Sequence, residues 1–198
     1  MAQSSASQPP SGTKNKIENV AIVGATGTIG QHITPALLQT NHHSITALTR
    51  IGSSTIKAFP PGINIAKVDY NDETSIAEAL ENQDFLIITL SVQAPPDTQS
   101  KLIRAAAKAG VKWIMPNEYS PPFAESEALG KATGFHNRIV STRKQIEGAG
   151  LAWTSLQCGF WYEFSLSGSP TRYGFDFAQK SLTLFDDGQA KINQSTWP

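Results

Sequence analysis

The sequence predicts an α/β fold: a doubly wound, mostly parallel sheet with a partial C-terminal substrate region. Three observations predict it. Strand-like apolar runs alternate with helical patterns from Val20 to Leu156, the order that produces parallel strands joined by right-handed crossovers. The run Phe85–Leu90 is almost continuously apolar, as a strand buried on both faces should be. The first run, Val20–Val23, breaks into Gly24, Gly27 and Gly30 and then into a helical pattern. With 198 residues the chain can bury one substantial core. Its organisation reads as a tail over 1–16, a nucleotide-binding domain over 17–157 and the partial region over 158–198.

A first helix is expected from about Thr28 to Gln39, with Ile29, Ile33 and Leu37 on one face and, at Pro35, a kink or the end of a short first segment. Strands follow at Ser44–Arg50 and Ile63–Val68, separated by a Ser-, Pro- and Gly-rich loop. Asp72 is placed to cap a short helix carrying Ile76, Ala77 and Leu80. After strand four, a helix over Thr98–Ala109 ends at Gly110, and strand five is Val111–Met115. Pro116–Thr133 has no period and reads as a long functional loop. A helix over Gly134–Ala149, with Phe135, Ile139 and Ile146 on one face, leads to strand six at Leu151–Leu156. Phe160, Trp161, Tyr162 and Phe164 form an aromatic cluster that reads as core or as pocket lining. Asp187-Gly188 predicts a hairpin turn between Ser181–Leu184 and Gln189–Ile192.

The glycine turn is the chemical centre of this pattern. Gly24 permits the sharp turn, Gly27 lets the backbone approach a pyrophosphate, and Gly30 lets the helix pack close to the strand. The amides of Thr28, Ile29 and Gly30 open the helix at its positive end, and Thr26 and Thr28 add hydroxyl donors. In such a sheet ligands bind outside the carboxyl ends of the strands. That edge gathers the turn with Arg50, Asp69-Tyr70, Leu90-Ser91 and Pro116-Asn117-Glu118-Tyr119, and Gln157 arrives from strand six. An NAD-binding chain places a carboxylate near the end of strand two, on the ribose hydroxyls. Here Arg50 stands there, and a guanidinium can fork onto a 2′-phosphate, with Ser53, Ser54 and Lys57 nearby. NADP is therefore the expected coenzyme, with NAD the alternative, and Asp69 would accept from the adenine amine.

Composition excludes other partners. Basic and acidic residues balance at 16 each, which gives no support to nucleic-acid or membrane-surface binding. Cys158 is the sole cysteine, so no internal disulfide can form and a reducing compartment, cytoplasm or nucleus, is expected. Met1–Asn15 lacks an apolar core segment and reads as a disordered tail rather than a secretory signal. His42-His43 has no companions at ligand spacing, so no metal site is expected.

Together these motifs resemble the NmrA-like / isoflavone reductase-like branch of the atypical short-chain dehydrogenases, in its fungal form. The matching residues are Gly24–Gly30, Thr49-Arg50, Val68-Asp69-Tyr70, Val111–Tyr119, Ile146-Glu147 with Gly150-Leu151 and Trp153-Thr154, and Asp187–Asn193. The resemblance implies a Rossmann domain binding NADP(H) and hydride exchange on a small, often aromatic, substrate. It also implies a longer chain, so that this one reads as a C-terminally shortened member. Reductases of this kind carry a lysine on the helix before strand six, and the alignment puts Ile139 there. The alternative Tyr-x-x-x-Lys pair is absent. Candidate catalytic groups are then Lys131, Arg138 and Tyr119, with His136 and Lys144 beside them. Two readings follow: an NADP-dependent oxidoreductase, or a non-catalytic sensor that passes coenzyme state to a regulatory protein partner.

Overall fold

The computed structural model describes residues 16–53, 59–168, 170–184, 186–189 and 191–196. The expected tail, except Lys16, and Ser54 and Lys57 lie outside the described residues. The chain divides into two compact units. The first runs to Glu118 and takes up Asn137–Ser155, and the second comprises Tyr119–His136 and Leu156–Pro198. The segment Tyr119–His136, which the sequence reading kept within 17–157, thus groups with the C-terminal residues.

The first unit is a six-stranded parallel sheet. In chain order it contains β1 (Asn19–Val23), α1 (Gly30–Gln39), β2 (Ser44–Arg50), β3 (Ile63–Val68), α2 (Glu73–Ala79) and β4 (Phe85–Ile88). There follow α3 (Thr98–Ala109), β5 (Trp113–Met115), α5 (His136–Gly148) and β6 (Ala152–Trp153), with α4 (Glu127–Thr133) belonging to the second unit. The strand order is β3-β2-β1-β4-β5-β6, which reverses direction between β1 and β4. Alternate residues of β1 go to opposite faces. Ala21 and Val23 join Leu48, Leu86 and Ile88 under α2, α3 and α5, while Val20 and Ile22 join Ile45, Phe85 and Ile87 under α1. Both faces are sealed, and this explains the unbroken apolar runs in the sequence.

The caps form where the residues direct them. The Asp72 carboxylate accepts from the Thr74 amide at 2.9 Å to start α2, and Gly110 ends α3 in the left-handed conformation at φ +79°. Helix α1 runs as one element through Pro35, so the short first segment does not form.

The second unit departs from the sequence reading at three places. Within the expected loop Pro116–Thr133 lies α4, capped by extended Ser126 and ended by Gly134 at φ +77°. Its packing runs through Gly130, where a Cβ would fall on the Phe123 carbonyl oxygen, so no bulky apolar stripe marked it. The expected hairpin at Asp187-Gly188 does not form among the described residues. Instead β8 (Phe175–Asp176) pairs antiparallel with β9 (Ser181–Leu182), closed by the Gln179 amide on the Asp176 carboxylate at 2.9 Å. Asp186 and Gly188 do take positive φ, but Gln189 and Lys191–Asn193 form no strand for the turn to serve. The aromatic cluster is split. Trp161, in β7 (Phe160–Trp161), donates Nε1–H to the Tyr119 carbonyl at 2.7 Å, whereas Tyr162 and Phe164 on α6 (Tyr162–Leu166) are exposed rather than core. Phe135 lies before α5, exposed, and stacks on Phe123 at 5.2 Å. The unit also holds α7 (Pro170–Tyr173) and β10 (Gln194–Ser195), which pairs in parallel with β7.

Candidate functional site

The five connections leaving β1–β5 emerge at one edge because all five strands are parallel. At the switch point the Gly24–Gly30 turn is closed by the Gly27 amide on the Gly24 carbonyl at 2.8 Å. Gly24 has φ +79°, and a Cβ there would fall on the Thr89 carbonyl oxygen. A Cβ on Gly30 would fall on the Gly24 carbonyl and the Ala25 backbone, so only glycine lets α1 start this close to β1. Gly27 has more room: its Cβ would come no closer than 3.1 Å, to the Gly24 carbonyl. The amides of Thr26, Thr28, Ile29 and Gly30 donate to no acceptor among the described residues, and Ile29 opens α1 without a side-chain cap. These are the donors that a pyrophosphate would satisfy.

Two threonines that the sequence reading passed over brace this turn. The buried Thr89 hydroxyl, just past β4, donates to the Val23 carbonyl at 2.7 Å and the Gly24 carbonyl at 3.0 Å. Thr34, buried in α1, donates to the Ala25 carbonyl at 3.3 Å. For Thr89 the available signal was a hydroxyl inside an otherwise apolar strand run; Thr34, within a helix, gave none.

Arg50 is exposed at the end of β2, and among the described residues its guanidinium makes no hydrogen bond or ion pair. Tyr70, after β3, donates to the Leu48 carbonyl at 3.4 Å. Burial pushes its phenol up to about 12, against a smaller opposing pull from Arg50. Asp69 is exposed and turns one carboxylate oxygen onto the Asn71 amide at 2.9 Å. Ser91 is exposed, and its Oγ accepts from the Gln93 amide at 3.2 Å.

The β4 and β5 exits are tied together. Asn117 donates its side-chain amide to the Leu90 carbonyl at 3.1 Å, and its own backbone amide donates to Gln99 Oε1 at 2.9 Å. Pro116 and Glu118 are buried. Arg143 grips the Glu118 carboxylate with Nε at 3.0 Å and Nη2 at 2.6 Å, stacks over Trp153 at 4.4 Å, and reaches Ser155 Oγ at 3.4 Å. Trp153 in turn donates to Glu147 at 2.9 Å. Glu118 is therefore held inward as part of a buried brace.

The candidate proton carriers are dispersed. Arg138 and buried Ile139 lie on α5 in the first unit, while Tyr119, Lys131 and Gln157 belong to the second. Lys131 is exposed and paired with Glu127 at 2.5 Å. Tyr119 is buried, its hydroxyl has no hydrogen-bond partner among the described residues, and burial pushes its phenol up. The Gln157 amide nitrogen is likewise buried without a partner. His136 Nδ1 lies 3.0 Å from the Phe123 carbonyl, which fixes Nδ1 as the protonated nitrogen. Burial also raises the half-buried Cys158 thiol. No group of His, Cys, Asp and Glu among the described residues could hold a metal, and no described helix is long and apolar enough to cross a membrane.

This strand order, with its glycine turn at the switch point, defines a Rossmann-type nucleotide-binding fold. The chain belongs to the NmrA-like family, whose model matches residues 16–173. It is 29% identical over 181 residues to oxidoreductase aprR of Aspergillus flavus, covering 89% of this chain and 59% of that protein. It is 30% identical over 155 residues to quinone oxidoreductase 2 of Escherichia coli, covering 76% and 52%. The crystal structure of the NADPH-dependent quinone oxidoreductase from E. coli complexed with NADPH superposes with a TM-score of 0.61 at 28% identity, over 78% of this chain and 53% of that one. The chain spans about half to three-fifths of the length of the relatives it matches.

Proposed function

We propose that this chain binds NADP(H) at the carboxyl edge of β1–β5 and serves an oxidoreductase of the isoflavone reductase-like type acting on a small, aromatic substrate. The observation that carries this reading is the placement of the Gly-turn amides at the β1 exit beside Arg50 at the exit of neighbouring β2, both without partners among the described residues, with Arg50 where an NAD-binding chain carries a carboxylate. The amides would hold the pyrophosphate, Arg50 the 2′-phosphate, and Asp69 the adenine amine through its uncommitted oxygen. Ser91 and the Pro116–Glu118 segment, stiffened by Asn117 and Arg143, would wall the nicotinamide. When bound, that ring supplies or accepts a hydride. Tyr119, Lys131 and Arg138 are the proton carriers proposed for the substrate, and Gln157 a further donor to the coenzyme. A raised phenol makes Tyr119 a donor rather than a base at neutral pH. The single cysteine favours the cytoplasm or nucleus.

Calorimetric titration with NADPH and NADH tests the coenzyme assignment. NADPH should bind more tightly, and Arg50→Ala should cost about tenfold or more for NADPH while leaving NADH unchanged. Equal affinity for the two coenzymes, or an indifferent variant, removes NADP from the assignment.

One observation favours a sensor that binds coenzyme without turnover. Ile139, at the position the resemblance gives to a catalytic lysine, is buried and has no titratable group. NADPH binding without oxidation across a panel of quinones and aromatic carbonyls would select that reading and direct attention to a regulatory protein partner.

A further inference from the structure

We infer that Thr89 is a positioning residue for the coenzyme cradle: its hydroxyl, shared between the Val23 and Gly24 carbonyls, fixes the two peptide planes that lead into the unpartnered amides of Thr26, Thr28, Ile29 and Gly30. The inference rests on the coenzyme reading proposed above. Ordinary strand pairing does not need this hydroxyl. The Val23 carbonyl already accepts the Thr89 amide at 2.9 Å, and the Gly24 carbonyl already accepts the Gly27 amide at 2.8 Å. Neither oxygen would be orphaned without it, so the two further bonds at 2.7 and 3.0 Å act on orientation.

The geometry converts that orientation into aim. A trans peptide carries its C=O and N–H on opposite sides. Drawing the Val23 and Gly24 carbonyls toward Thr89 therefore turns the Gly24 and Ala25 N–H groups away from β4. The contact is close on the backbone side as well, because a Cβ on Gly24 would strike both the Thr89 carbonyl and, at 2.8 Å, its hydroxyl. Thr34 holds the next carbonyl, Ala25, from the α1 side at 3.3 Å. Three consecutive peptide planes are thus held by two buried hydroxyls before any ligand arrives. Such preorganisation raises affinity by removing an ordering cost from binding.

The test uses Thr89→Val, which keeps the shape and removes the donor, and Thr89→Ser, which keeps the donor. Each is titrated with NADPH and with adenosine 2′-monophosphate, which has no pyrophosphate. Thr89→Val should weaken NADPH about three- to tenfold, leave the 2′-monophosphate unchanged and alter the melting midpoint little. Thr89→Ser should restore NADPH affinity. Arg50→Ala, by contrast, should weaken both ligands. Equal NADPH affinity in folded Thr89→Val overturns the inference, and so does equal weakening of both ligands. If Thr89→Val fails to fold, weakened NADPH binding in folded Thr89→Ser overturns it instead. Failure of the unsubstituted protein to bind NADPH would remove the coenzyme reading itself, and this inference with it.

Discussion

In the first unit β1, β2 and β4 run for four to seven residues with nearly every apolar side chain buried, whereas the strands of the second unit are two residues long. Among the described residues of the second unit, Tyr119 and Phe123 are the large apolar side chains that are buried. Tyr162, Phe164, Phe177, Leu182, Leu184 and Ile192 are all exposed. The first unit's order follows from a central sheet with two covered faces. The second is held by individual polar ties, such as Trp161 to the Tyr119 carbonyl and Ser195 to the Cys158 carbonyl. Regular burial gives a fold tolerance to the loss of any one hydrogen bond. A unit assembled from separate ties has no such reserve, and its exposed apolar surface contributes little until something covers it.

The sharpest way to break the comparison is to remove the buried ion pair of the first unit, Arg143 with Glu118. Arg143→Met leaves the Glu118 carboxylate buried, at 4% exposure, without its guanidinium. The expected loss is about 3–5 kcal/mol in denaturant unfolding, and Arg143→Lys should recover only part of it because an ammonium cannot fork. A loss below about 1 kcal/mol would mean that water reaches Glu118, and that the first unit is looser than its packing indicates.

That brace also marks how far the sequence could be read. The glycine turn, β2, β3, the Asp72 cap and α3 were legible because each is specified by neighbours along the chain: a run, a cap, a stop. Arg143 and Glu118 lie 25 residues apart, and no local pattern pairs them. Thr89 was half legible, a polar interruption in an apolar run whose meaning lies in a strand 65 residues earlier. The hairpin misreading has the same root. Gly188 is left-handed as the turn requires, with Asp186 rather than Asp187 as the other left-handed residue, but strands so short are chosen by partners, and Leu182 finds Phe175. Of the candidate site, the edge where the five connections emerge was legible from the strand ends. The proton carriers were not, because their chemistry depends on what surrounds them.

The two phenols raised by desolvation, half-buried Tyr70 in the first unit and buried Tyr119 in the second, sharpen the comparison further. Tyr70 is raised by burial to about 12, above the usual value near 10 of an unfolded phenol. Below pH 10 both states hold the proton and the shift costs nothing. As pH rises from about 10 to 12 the unfolded phenol ionises first, so stability should fall by about 2–3 kcal/mol across that window. Tyr70→Phe should flatten this dependence and, by losing the bond to the Leu48 carbonyl, cost about 1 kcal/mol at neutral pH. Tyr119→Phe removes a hydroxyl that has no partner among the described residues, and should be neutral or stabilising at neutral pH. A comparable loss from both replacements would show that the Tyr119 hydroxyl is bonded in solution, and that the second unit is better satisfied than its geometry indicates.

The smallest expected effect bears most directly on the second unit's surface. Leu184 is 65% exposed, and Leu184→Ser should change unfolding free energy by no more than about 0.5 kcal/mol. The counterpart in the first unit, Leu86→Ala at a fully buried position between the two parallel neighbours of β4, should cost about 2–5 kcal/mol. The contrast follows from how much apolar surface each leucine keeps from water, since a serine hydroxyl at exposed position 184 stays hydrated. A loss above about 1 kcal/mol for Leu184→Ser could not come from the isolated fold. It would require the side chain to be covered in solution, and dilution would separate the two causes, because cover supplied by another molecule weakens with concentration whereas cover within one chain does not.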